Sequence, residues 1–103
     1  EMISFTFNGF TGRLPKPFDY EPIIIADSVT TLSSSKVNAS NVIRIRFEDG
    51  PVRVRVDGGS PTAADGTLYY NGDNELLSVD EAVNLKMIRI GATNATARVT
   101  YYR

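Results

Sequence analysis

Along most of the chain, hydrophobic and polar residues alternate with a period of two. Ser4 and Thr6 separate Ile3, Phe5 and Phe7. Arg44 and Arg46 separate Ile43, Ile45 and Phe47, and Arg53 and Arg55 separate Val52, Val54 and Val56. Such alternation places successive side chains on opposite faces of a strand. Strands are predicted over residues 2–7, 23–26, 42–48, 52–57, 67–70, 76–79, 87–90 and 96–102. Each run is short and rich in β-branched or aromatic residues, and most are bounded by Gly, Asn, Asp or Pro. The pattern predicts an all-β fold, a single-domain antiparallel β-sandwich of jelly-roll-like type, with about eight short strands and an extended N-terminal segment. Helical signals are weak. Ser78-Val79-Asp80-Glu81 has capping-box order, and one helical turn is expected after it.

Two segments break the alternation. Residues 11–22 hold Pro15, Pro17 and Pro22, which exclude a central strand and favour an extended path. The chain is therefore divided into a first strand with a proline-rich arm over 1–22 and a β-sandwich over 23–103. The arm residues Leu14, Pro15, Pro17, Phe18, Tyr20 and Pro22 form either a surface loop or an extension laid on a neighbouring subunit. Residues 30–40 are rich in Ser, Thr and Asn and read as a loop.

Glu48-Asp49-Gly50-Pro51 separates the two most regular strands. If they form a hairpin, burial of one apolar face sets Ile45 opposite Val54 and Ile43 opposite Val56. The same register sets Arg46 opposite Arg53 and Arg44 opposite Arg55. Like charges so placed destabilise a strand pair unless anions neutralise them. Glu48, Asp57, Asp65 and Asp73 are candidate counterions, as are a neighbouring subunit or a bound phosphate or sulfate. Three readings remain open for this arginine face: a solvated surface with splayed side chains, a protein–protein contact, or a polyanion site.

Composition narrows the chemistry. The 103 residues include no Cys, no His and no Trp, and the net charge is -1. Thiol and imidazole catalysis, disulfides and Cys- or His-liganded metals are thereby excluded. A near-neutral chain argues against general nucleic-acid binding. No apolar run approaches a membrane span, and no basic-then-apolar signal segment opens the chain. Because Glu1 precedes Met2, the chain is expected to lack its initiator or to begin after a cleavage. Most carboxylates sit in turn contexts such as Asp49-Gly50, Asp57-Gly58 and Asp65-Gly66, so no catalytic residues, cofactor or metal are expected. Asn71-Gly72-Asp73-Asn74-Glu75 reads as a turn rather than a calcium loop. The sequons at Asn38 and Asn94 carry little weight. In Tyr69-Tyr70 and Tyr101-Tyr102, one tyrosine of each pair is expected in the core and the other outside; outward tyrosines suit interfaces or sugar stacking.

The stretch from Val52 to Gly66, V-R-V-R-V-D-G-G-S-P-T-A-A-D-G, resembles a segment of small structural proteins of tailed bacteriophages and prophages. In these an alternating V-R-x-R strand is followed by D-G-x-x-P-T and a further Gly. The likeness runs loosely from Val42 to Tyr102 and is most specific over Asp57 to Gly66, where Asp57, Gly58, Pro61, Thr62 and Gly66 form the turn motif. The resemblance implies a non-enzymatic virion component, either a capsid decoration protein or a tail component. Its implied partners are a major capsid or tail protein and further copies of itself, with a trimer favoured, and neither nucleic acid nor membrane. A carbohydrate- or receptor-binding module of a phage tail is the alternative. On either reading Arg44, Arg46, Arg53 and Arg55 are the candidate contact or anion-binding residues.

Overall fold

The computed structural model describes the backbone of residues 4–7 and 10–13 and all of residues 15–103. Among the described residues, nine strands and two short helices follow one another: β1 (Ser4–Phe7), β2 (Phe10–Arg13), β3 (Pro17–Ile25), α1 (Ser34–Asn38), β4 (Val42–Glu48), β5 (Val52–Arg55), β6 (Thr67–Tyr69), β7 (Asn74–Ser78), α2 (Val79–Asn84), β8 (Lys86–Arg89) and β9 (Ala95–Tyr102). β1 and β2 pair with each other. The remaining strands build two antiparallel sheets, in the orders β3-β9-β4-β7 and β6-β5-β8.

These orders describe an all-β, jelly-roll-like sandwich with one strand reduced to a remnant. Thr30 exchanges two backbone hydrogen bonds with Met87 of β8, and Arg89 N–H donates to the Ala26 carbonyl. The segment between β3 and β4 thus occupies the outer edge of β8, where an eighth strand would lie. Counting it, the chain from β3 onward changes sheet at every connection except β5 to β6. Such crossing is how a jelly roll closes two sheets over one core.

The core lies between the sheets. From the four-stranded sheet come Ile25, Ile43, Ile45, Phe47, Leu77, Ala97, Val99 and Tyr101, and from the other Val52, Val54 and Met87. Burying a side chain of this size contributes roughly 1.5–3 kcal/mol. Phe47 stacks on Tyr69 across the sheets, with ring centroids 4.6 Å apart. The helices pack together and bury Val37 and Ala82. The expected capping box is present: Glu81 N–H donates to Ser78 Oγ, and Ser78 N–H donates to the Glu81 carboxylate. α1 falls where a loop is expected, because five residues are too few to show a helical period.

Three sequence expectations are corrected. First, β4 and β5 do not form a hairpin. Phe47 instead exchanges backbone hydrogen bonds with the β6–β7 turn, through Gly72 N–H and the Asp73 carbonyl. The chain turns a corner at Asp49, whose φ is +74°, and enters the opposite sheet. Pro51 has no N–H for a ladder at that point. Second, β5 ends at Arg55, and Val56 is exposed rather than core. Third, residues 17–22 of the expected arm belong to the sandwich. β3 runs through positions 17–25 and pairs with β9 from Pro17↔Tyr102 to Ile25↔Ala95, with a bulge between Pro17 and Asp19. Pro17 and Pro22 are tolerated because β3 is an edge strand. Pro15 lies just before it, while Lys16 and Arg103 exchange backbone hydrogen bonds. Phe18 packs on the core, with the Arg103 guanidinium 4.2 Å from its ring centroid. Leu14 lies outside the described residues.

Inward carboxylates tie β3 down. Tyr101 donates its hydroxyl to Glu21, and Lys36 of α1 lies 3.4 Å from Asp19 and 3.7 Å from Glu21. Burial, reinforced by the Glu21 carboxylate, raises the Tyr101 hydroxyl pKa well above the usual tyrosine range. Burial and the bond to Glu75 do the same for Tyr69.

Two predictions follow from this packing. Removing residues 1–14 leaves a sandwich that melts cooperatively. Removing residues 1–22 takes away Phe18 and Glu21 and costs about 3 kcal/mol or more, roughly 12–24 °C in melting temperature for a domain of this size. Thermal melts of the two truncations check this. At alkaline pH the folded chain keeps the Tyr69 and Tyr101 protons while the unfolded chain loses them above about pH 10. Their contribution is therefore complete below pH 10 and declines as pH rises beyond it. Melting curves from pH 8 to 11.5 should fall more steeply for the wild type than for Y101F.

Candidate functional site

The predicted arginine face is divided in two. On β4, Ile43, Ile45 and Phe47 point into the core, so Arg44 and Arg46 point out of the four-stranded sheet. On β5, Val52 and Val54 point into the same core from the other side, so Arg53 and Arg55 point out of the three-stranded sheet. The four arginines thus occupy opposite outer surfaces of the sandwich.

On the three-stranded sheet, the cations are held by their own chain. Arg53 lies between Leu68 of β6 and Ile88 of β8. Its Nη1 donates to the Gly66 carbonyl at 3.0 Å, while its Nε is buried without a partner. Arg55 grips Asp57 with two hydrogen bonds of 3.0 and 2.7 Å. Lys86 donates to the Gly58 carbonyl. The Asp57 carboxyl is pushed down to about 2, first by Arg55 and then by the Gly59 N–H.

The loop holding the turn motif lies beside these cations. Gly58 has φ +88°, and the Asp57 carboxylate receives the Gly59 N–H. Pro61 is buried, and Thr62 and Asp65 exchange two backbone hydrogen bonds across a tight turn. Gly66 leaves that turn at φ +130°, where an added Cβ would lie 3.2 Å from both Pro61 Cβ and the Val54 carbonyl oxygen. Backbone conformation and lack of space both require glycine there. The motif is therefore two successive turns that return the chain to β6, alongside β5.

The four-stranded sheet presents a different surface. Register places Tyr20, Thr100, Arg44 and Leu76 in one cross-strand row, Pro22, Arg98, Arg46 and Asn74 in the next, and Ile24, Thr96 and Glu48 in a third. Arg46 stands directly opposite Arg98. The Glu48 carboxylate bridges them, accepting from Arg46 Nε at 3.0 Å and from Arg98 Nε at 2.5 Å. Arg98 Nη1 also donates to the Tyr20 hydroxyl at 2.9 Å, and Arg44 donates to the Asn74 amide oxygen at 3.3 Å. Glu48 is held below the usual carboxylate range, first by Arg98 and then by Arg46. The Arg98 guanidinium is raised, mainly by Glu48. Tyr20 is 48% exposed and Ile24 58% exposed on this face.

The like-charge opposition expected from the sequence thus exists with a different partner, and Glu48 is the counterion. Arg98 and Ile24 escape a reading based on neighbouring strands, because β9 lies between β3 and β4 only through long-range pairing. The alternation of Ala97, Val99 and Tyr101 does mark Arg98 as outward-facing.

The remaining sequence candidates resolve into local structure. Asn71, Asp73 and Glu75 accept hydrogen bonds from Asp49 N–H, Tyr70 N–H and the Tyr69 hydroxyl respectively. Among the described residues, no group of three or more Asp or Glu is placed to hold a metal ion. Ser40 and Thr96, the hydroxyl residues of the two sequons, are buried and donate to the Lys36 carbonyl and to Asp49. Tyr101 is in the core while Tyr102 is half-buried; Tyr69 is half-buried and Tyr70 is 59% exposed.

The Glu48 bridge carries a prediction. E48Q leaves Arg46 and Arg98 opposed without a carboxylate between them, and its melting temperature at pH 7 should be slightly below wild type, since the site is exposed. A depressed carboxylate stabilises the fold above its unfolded pKa, near 4.5, and the effect is lost as pH falls through the folded value. The difference between E48Q and wild type should therefore shrink as the pH falls below 4.5, as paired melts from pH 7 down into acid would show.

Compared with known proteins, the chain matches no family model and has no significant match to a curated protein or a solved structure.

Proposed function

We propose that this chain is a non-enzymatic structural component of a tailed-phage virion, a capsid decoration protein held to the particle by protein–protein contacts. The observation that carries the reading is the outer face of the four-stranded sheet, where Arg44, Arg46 and Arg98 lie beside exposed Tyr20 and Ile24. Arginine and tyrosine are the residue types enriched at protein interfaces and at their energetic centres. Two further features support it. The segment from Val52 to Gly66 resembles small phage structural proteins. The jelly-roll-like order also recurs in viral capsid domains, although an architecture alone does not assign a role. The partner is the major capsid protein, and the chain acts as a homo-oligomer, a trimer by preference.

A second reading, a carbohydrate- or receptor-binding tail module, is favoured by one observation. Tyr70 is exposed beside the polar Asn71–Asp73 turn, and an aromatic next to hydrogen-bonding groups suits a sugar.

Electron microscopy of purified particles separates these readings by place and copy number. Hundreds of symmetrically arranged copies over the shell are expected for decoration. A few copies at one vertex would replace that reading with the tail module, and absence of the chain from particles would remove both.

A further inference from the structure

The outer edges of the sandwich are poor templates for an added strand. β3 carries Pro17 and Pro22, and proline gives no N–H to a new ladder. The Ala26–Thr30 segment bonds the edge of β8. β6 has only three residues. On β7, Leu76 N–H already donates to the Glu75 carboxylate. A partner is therefore directed to a face.

The two outer faces differ in how their charge is held. On the three-stranded sheet, Arg55 has Asp57, while Arg53 and Lys86 bond carbonyls of the adjoining loop. On the four-stranded sheet, Arg46 and Arg98 share the Glu48 carboxylate and Arg44 donates to the neutral Asn74 amide; all three arginines are exposed, whereas Arg53, Arg55 and Lys86 are half-buried. The three arginines against Glu48, and against Asp49 where Thr96 donates to it, leave a local positive surplus on a chain whose net charge is -1. Exposed Tyr20 and Ile24 border that surplus.

We propose that this face binds an acidic segment of a partner protein, with carboxylates on Arg44 and Arg98 and an apolar side chain against Ile24. Guanidinium groups pair with carboxylates in bidentate fashion, and added anions relieve the Arg46–Arg98 opposition. A second copy of the chain packed face to face would set arginine against arginine across the symmetry axis, which disfavours that occupant. Nucleic acid is disfavoured because three arginines on a chain of negative net charge offer few phosphate contacts. The inference rests on the contact-protein reading and names the chemistry of the partner.

The test uses the full chain and a fluorescein-labelled decapeptide of alternating glutamate and leucine, read by fluorescence anisotropy at low salt. A lysine–leucine peptide and a single-stranded DNA oligonucleotide serve as comparisons. The acidic peptide should bind, and binding should weaken with added salt. R44E and R98E should each weaken it about tenfold or more, whereas R55E, on the opposite face, should leave it unchanged. Circular dichroism establishes that each variant is folded. Failure of the acidic peptide to bind, equal binding by R98E, loss on R55E, or tighter binding of the DNA would each overturn the proposal. Particle incorporation judges the two readings separately. R44E and R98E chains found on particles at wild-type copy number would overturn the face assignment and leave the virion reading standing. Absence of the wild-type chain from particles would remove the virion reading and leave the peptide result to decide the face.

Discussion

The fold depends on the inward face of β4 meeting that of β5 across the core. Ile43, Ile45 and Phe47 lie on one side, Val52 and Val54 on the other, and all are buried. The two strands are joined by a three-residue corner, so their apolar faces meet only if the chain leaves one sheet and enters the other. Asp49 makes this possible by adopting φ +74°, a left-handed conformation that Asp tolerates better than most residues. Its carboxylate accepts from Thr96 and its N–H donates to Asn71, tying the corner to β9 and to the β6–β7 turn. Strain at one residue is thus held by bonds to two other parts of the chain.

That corner also decides where charge goes. Alternation on β4 and β5 must expose Arg44, Arg46, Arg53 and Arg55 once their neighbours are buried. With the strands in facing sheets, the arginines separate to opposite surfaces, and the opposition a hairpin would create between them does not arise. The alternation on β9 then brings Arg98 beside Arg46. Glu48, at the end of β4, lies close enough to bridge both guanidinium groups. A surface bridge of this kind contributes little to stability. Its consequence is geometric, since it holds two arginine side chains in fixed positions on an exposed sheet.

The sequence made the strands legible and left the pairing illegible, for a physical reason. A period of two reports which side of a strand is buried, and it reads the same whether the next strand lies alongside or across the core. The residues that reject the hairpin are Asp49 and Pro51, and a longer hairpin loop accommodates Pro51 as well as a corner does. The proline-rich segment shows the same limit. Pro17 and Pro22 exclude a central strand, and they permit both an arm and an edge strand. Long-range bonds from Tyr101 to Glu21 and from Arg103 to Lys16 select the edge strand. The capping box at Ser78 was readable because both of its partners lie within four residues.

The candidate face was half legible for the same reason. Arg44 and Arg46 are marked as outward by local alternation, whereas Tyr20, Ile24 and Arg98 join them through pairings of strands distant in sequence. The physical rule used on the sequence, that opposed arginines need an anion, holds in the folded chain for Arg46 and Arg98. It accounts for Glu48, which accepts from Arg46 and Arg98, while Arg44 donates to the neutral amide of Asn74. On the opposite surface Arg53, Arg55 and Lys86 are half-buried and held to Asp57 and to the carbonyls of their own loop. Exposed positive charge on a sheet face, bordered by exposed aromatic and aliphatic groups and flanked by edges unsuited to strand addition, favours contact through the face with an anionic surface. That asymmetry between the two faces, rather than the number of arginines, distinguishes one side of this sandwich from the other.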